Sequence, residues 1–100
     1  MNVDLLKRRL AYDPSTGVLS WRDGPRAGRQ AGTISSGGYV VIFLEKKRIK
    51  AHRAAWAIHY GAAPKDQIDH INRVKTDNRI SNLRDVTNTE NQKNKGARGR

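Results

Sequence analysis

The apolar positions of 3-VDLLKRRLAY-12 fall at Val3, Leu6 and Leu10, the spacing of one helix face, with Lys7 and Arg8 turned elsewhere. A short amphipathic helix is predicted there. Asp13, Pro14 and Gly17 make 12-YDPSTG-17 a turn, and residues 18–22 read as a strand. The polar stretch 23-DGPRAGRQAG-32 has the composition of a loop. Thr33-Ile34 and 39-YVVIFL-44 flank 35-SSGG-38, a hairpin pattern; residues 45–47 form a second turn and 48-RIKA-51 a third strand.

From His52 to Tyr60, the apolar positions Ala55, Trp56 and His59/Tyr60 suit a helix that Gly61 stops, with Pro64 just beyond. The chain then turns polar, with two short strand candidates at 67–71 and 83–86. Thr87 with Glu90 three residues on is a capping box, in which each side chain satisfies a free backbone N–H, so a last helix is predicted over 88–95. The second half therefore reads strand, long polar loop, strand, helix. The fold class expected is α+β: an N-terminal helix and a small antiparallel sheet, followed by a β-β-α unit.

One hundred residues suit a single small domain. Against 9 Asp+Glu stand 20 Lys+Arg, a formal charge of +11, and the usual polyanion that neutralises such an excess is nucleic acid. An anionic membrane is the rival, but no long apolar run or basic amphipathic helix supports it. Cysteine is absent, which removes disulfides and thiolate zinc sites. The opening 2-NVDLLKRRL-10 is charged too early for a signal peptide, so an intracellular protein is expected.

Candidate chemistry lies in 68-IDHINRVKTDNRISNLRDVT-87 and 90-ENQKN-94, where Asp69 adjoins His70 and Asn recurs at 72, 78, 82, 91 and 94. Side chains alternate along a strand, so Asp69 and His70 are expected to diverge. Carboxylate and amide oxygens are hard donors of the kind that bind Mg²⁺ or Mn²⁺.

The run 51-AHRAAWAIHYGAAPKDQIDHINRVKTDNRISNLRDVTNTENQKNK-95 resembles the HNH endonuclease family, of ββα-metal fold, and is most like its phage and intron-associated homing branch. Two earlier stretches, 17-GVLSWR-22 and 38-GYVVIFLEKKRIKAHRAAW-56, resemble the segment that precedes the motif in phage members. D-H, N-R-I-S-N-L and E-N at set distances are more specific together than any one pair.

The resemblance implies one domain over 1–100. Its N-terminal part (1–50) would contact DNA, the helix and ββα-metal motif would occupy 51–95, and 96–100 would be a basic tail. It makes His70 the general base, taking a proton from water, and Asp69 and Asn91 the ligands of one divalent metal per chain. Asn82 would brace the loop between the strands. Asn stands where the strict lettering has a final His, which favours Mg²⁺, with Mn²⁺ as substitute, and no zinc. Asn88 and Asn94 compete with Asn91, but the spacing from Asp69 favours Asn91. Phosphodiester hydrolysis would leave a 5′-phosphate and a 3′-hydroxyl. The implied partner is double-stranded DNA, bound by a monomer or homodimer in the cytoplasm of a bacterial host.

Candidate DNA contacts are Arg26, Arg29, Lys46, Lys47, Arg48, Lys50, Arg53, Lys93 and Lys95. The turn at 45-EKKRIK-50 leads them, because a β-ribbon fits the major groove. Trp21, Tyr39, Phe43 and Trp56 are expected in the core. His52 and His59 have no third donor in sight and are expected to pack or to make a single phosphate contact, not to bind metal. The competing functions are a basic DNA-binding module that kept the fold and lost cleavage, and an RNA-binding protein, which the lack of aromatic-rich strand motifs disfavours.

Overall fold

The computed structural model describes residues 1–86. The expected helix over 88–95, its capping box, Asn91, Lys93, Lys95 and the tail lie outside the described residues.

Asn2 caps the first helix, α1 (Val3–Arg9), its side chain accepting a hydrogen bond from the backbone N–H of Leu5 at 3.0 Å. Asp4 in the first turn and Lys7, Arg8 and Arg9 in the last complement the helix dipole. The helix ends sooner than its apolar spacing predicts. Leu10 is extended and opens β1 (Leu10–Asp13), which pairs antiparallel with β2 (Val18–Trp21), Leu10 opposite Trp21 and Asp13 opposite Val18. Leu6 and Leu10 are both fully buried, so one apolar stripe serves the helix and then the strand.

The 23–32 loop folds back along β2: Ala31 N–H donates to the Leu19 carbonyl at 2.7 Å, and Ser20 bridges Gln30. Next comes an antiparallel sheet of β3 (Thr33–Ile34), β4 (Val40–Leu44) and β5 (Lys47–Lys50), ordered β3-β4-β5. Its second turn is the two residues Glu45 and Lys46, both at positive φ (51° and 64°), the geometry that joins twisted strands most tightly. Ile42 and Leu44 face the core. Phe43, expected in the core, is instead 63% exposed. Strand alternation turns it to the outer face, where the Arg48 guanidinium lies 5.8 Å from its ring centre. The other three aromatics pack inward: Trp21 is buried, Tyr39 is half-buried, and Trp56 lies partly buried against the core.

β5 passes directly into α2 (Ala51–Tyr60), which Gly61 ends in the left-handed conformation at φ 75°, its N–H bonding the Ala57 carbonyl. Ala51, Ala54, Ala55 and Ala57 are all buried, small enough to let α2 sit close to α1 and the sheet. The last described pair is β6 (Gln67–His70) and β7 (Leu83–Val86), antiparallel with Asp69 opposite Arg84 and His70 opposite Leu83. A 3-10 turn at Ile80–Asn82 feeds β7. Among the described residues, no helix is long and apolar enough to cross a membrane.

Candidate active site

β6 carries Asp69 and His70 to the rim of the polar loop, and its alternation separates them. The His70 ring turns inward, leaving the residue 6% exposed, while Asp69 stays partly accessible. His70 Nε2 lies 2.8 Å from Asn78 Oδ1. A carbonyl oxygen only accepts, so Nε2 carries the proton and Nδ1 keeps its lone pair free to act as a base.

Asn78 is itself fixed. It is 3% exposed, and its backbone carbonyl accepts the Tyr12 hydroxyl from β1. Gly17 presses against the same backbone: a Cβ there would lie 2.4 Å from Asn78 C and 2.4 Å from Arg79 N. Ile80 N–H donates to the Pro14 carbonyl at 3.1 Å. The first hairpin thus sets the residue that sets the histidine.

Asn82 holds the loop from within. Its Oδ1 accepts the Asn72 N–H at 2.9 Å, and its Nδ2 donates to Asn72 Oδ1 at 2.9 Å and to the Asp77 carbonyl at 2.8 Å. One buried amide therefore satisfies three loop groups that would otherwise compete for water. Asp77 receives Arg79 on both oxygens, and that guanidinium holds its carboxyl well below the ordinary carboxylate range.

Three aromatic rings close the inner side. His52 and His70 have ring centres 4.8 Å apart in an edge arrangement, and Tyr39 lies 5.3 Å from His52 and 6.0 Å from His70. Burial pushes the His52 imidazole down to about 3, and the neighbouring His70, Lys50 and Arg53 lower it further. Its Nδ1 is buried and has no hydrogen-bond partner among the described residues. His59 is exposed and packs edge-on to Tyr60, so the two helix histidines do different things.

Asp69 Oδ2 accepts a hydrogen bond from Arg84 Nη2 at 2.7 Å across the β6–β7 pair. The donor set fits a hard divalent cation in part: the salt bridge uses one carboxylate oxygen, and among the described residues Oδ1 accepts no hydrogen bond. Among the described residues, no group of three or more His, Cys, Asp or Glu gathers around it. Asn91, expected as the second ligand, lies outside the described residues.

Of the expected DNA contacts, Arg26, Arg29, Lys46, Lys47, Arg48 and Lys50 are exposed. Arg53 has one nitrogen committed, donating to the Asp66 carbonyl at 2.8 Å, where it buttresses the entry to β6. Sequence reasoning gave Asn78, Tyr12, Lys75 and Arg84 no individual role, and gave Gly17 only the close of a turn. Asn78 had a signal, since it is the first residue of the N-R-I-S-N-L run; the rest became visible only through long-range packing.

The family model described as HNH endonuclease matches residues 50–93, a segment holding Asp69, His70, Asn78, Asn82 and Asn91. None of the curated proteins compared with the chain matches it. A solved structure described as DNA binding and cleavage by the HNH homing endonuclease I-HmuI is similar over 91% of this chain, with a TM-score of 0.69 and 28% sequence identity. The similarity spans 53% of that protein, so this chain corresponds to about half of its length. The motif segment over residues 50–93 thus matches the HNH endonuclease model, and the fold over most of the chain is like that of a solved HNH homing endonuclease.

Proposed function

We propose that this chain is a metal-dependent DNA endonuclease in which His70 is the general base. The single observation that carries the reading is the His70–Asn78 hydrogen bond, which leaves Nδ1 as the free base nitrogen. His70 takes a proton from the attacking water at Nδ1, and Asn78 Oδ1 steadies the imidazolium through the Nε2–H it already accepts. Burial against Tyr39 and His52 fixes the ring plane, so little reorganisation is needed when the phosphate arrives.

Asp69, together with Asn91, would hold a divalent cation, Mg²⁺ or Mn²⁺. When bound, such an ion stabilises negative charge on the scissile phosphate and on the departing 3′-oxygen. The partner is duplex DNA: in its support stand the net charge of +11 and the exposed cations of the 26–29 loop and the β4–β5 turn. The solved relative is described as binding and cleaving DNA.

One observation favours a second reading, a DNA-binding module without cleavage: Arg84 already neutralises the Asp69 carboxylate. Plasmid nicking in Mg²⁺, Mn²⁺ or EDTA, with wild type and His70→Ala, separates the two. The nuclease reading expects nicking that EDTA abolishes and His70→Ala reduces by about 10²–10⁴-fold with binding retained. Equal binding with no nicking by either protein establishes the binding module.

A further inference from the structure

Beside His70 lies a feature that the base and the cation leave unused. Lys50 Nζ, at the end of β5, is 5.1 Å from the centre of the Tyr39 ring, and Lys75 Nζ, from the polar loop, is 5.0 Å from it. The same ring lies 6.0 Å from that of His70. Two ammonium groups from distant parts of the chain are thus gathered on one aromatic ring at the edge of the site.

With each ammonium group within 5.1 Å of one ring centre, the two like charges repel each other. Cation–π attraction to Tyr39 offsets part of that at roughly 0.5–1 kcal/mol per exposed cation. A carboxylate would offset more, yet among the described residues neither lysine forms an ion pair. Both lysines are exposed, so an incoming anion can reach them.

The arrangement is also built rather than incidental. Lys75 Nζ donates to the Gly37 carbonyl at 3.0 Å. Its Cδ lies 3.4 Å from where a Cβ on Gly38 would stand, and Gly38 has a φ of +87°. The turn between β3 and β4 therefore supplies both a carbonyl and a bare backbone against which Lys75 rests.

We propose that Lys50 and Lys75, gathered on Tyr39, form a phosphate cradle that docks a backbone phosphate flanking the one cleaved. The inference rests on the nuclease reading and adds two positioning residues to it. Lys50 comes from the N-terminal sheet and Lys75 from the motif loop, so the strand is held across the junction of the two.

Duplex binding in EDTA, where no cleavage occurs, tests this as a function of salt. Lys50→Met and Lys75→Met should each weaken binding several-fold at 0.1 M salt and lower the slope of log affinity against log salt by about 0.9, the value of one phosphate contact. Lys75→Arg should restore both, and Arg8→Met on α1 should change neither. A methylphosphonate at the phosphates next to the mapped nick should weaken wild type but add no penalty to the double Met variant.

Lys75→Met also removes the bond to Gly37. Lys50→Met removes no side-chain hydrogen bond among the described residues, so it carries the test by itself if the loop variant misfolds. An unchanged salt slope for Lys50→Met, or an undiminished methylphosphonate penalty in the double variant, overturns the cradle. If wild type nicks DNA while those results appear, the nuclease reading stands without the cradle. If wild type does not bind duplex at all, both fall together.

Discussion

Gly17 lies so close to Asn78 that no other residue fits between the first hairpin and the loop that holds His70: an added Cβ would stand 2.4 Å from the Asn78 carbonyl carbon. Gly17 also has a φ of +80°, where side chains are strained. Gly17→Ala is expected to destabilise the fold by about 3 kcal/mol and to cut nicking in the molecules that remain folded. Gly24→Ala is the control, because φ there is +76° but a Cβ meets nothing within 4 Å; it should cost only about 1 kcal/mol. Urea melts of the two variants, compared side by side, measure the difference.

Asn78→Ala removes the partner of His70 Nε2 and leaves a buried N–H unsatisfied. The ring is then free to turn or to move its proton to Nδ1, where it blocks the base. Nicking should fall about 10²-fold with DNA affinity unchanged. A parallel loss of affinity would mean that Asn78 shapes the binding surface instead.

His52 makes stability depend on acid in a defined window. Its folded value of about 3 lies below the ordinary 6.5, so above pH 6.5 both states are neutral and the group contributes no slope. Between pH 6.5 and about 3 the unfolded chain takes up a proton that the folded chain refuses. Stability then falls by up to ~1.4 kcal/mol per pH unit from this residue. His52→Phe keeps an aromatic ring against Tyr39 and His70 and should flatten that part of the curve. Denaturant melts at pH 7, 5 and 4 measure it; identical slopes for the two proteins would show that His52 charges freely in the fold.

Arg84 holds Asp69, and under the nuclease reading a divalent cation would compete for the same carboxylate. Both side chains are partly exposed, which keeps their pair within the range of roughly 0.2–1 kcal/mol. Arg84→Gln should therefore lower the Mn²⁺ or Mg²⁺ concentration giving half-maximal nicking by about 2- to 5-fold. Calorimetric titration of Mn²⁺ checks the same shift without turnover. A weaker metal response in Arg84→Gln would assign the arginine to holding Asp69 in place.

Much of this architecture could be read from local pattern. The SSGG turn between two apolar runs, the stop of α2 at Gly61, and the strands on either side of the polar loop follow from turn chemistry and periodicity. The boundary between α1 and β1 did not, because Leu10 satisfies both the helix spacing and the strand it joins. Phe43 was misplaced for a related reason: 39-YVVIFL-44 is apolar throughout, so the run does not say which face is covered.

The site divides in the same way. Asp69, His70 and Asn82 stand out by type and spacing. The partners that orient them are separated in sequence: Asn78 touches Tyr12 and Gly17, and Tyr39 meets Lys75. Only the packed chain brings those pairs together.

The Tyr12 hydroxyl that grips the Asn78 carbonyl has its own bearing on alkaline behaviour. Partial burial, with Asp13 close by, pushes this phenol up to about 12 from 10.0, so it remains a donor past pH 10, where a free tyrosine ionises. Beyond pH 10 the unfolded chain releases a proton that the folded chain retains, and the balance tips toward unfolding. The alkaline limit of the base's scaffold is thereby tied to the survival of the tertiary structure itself.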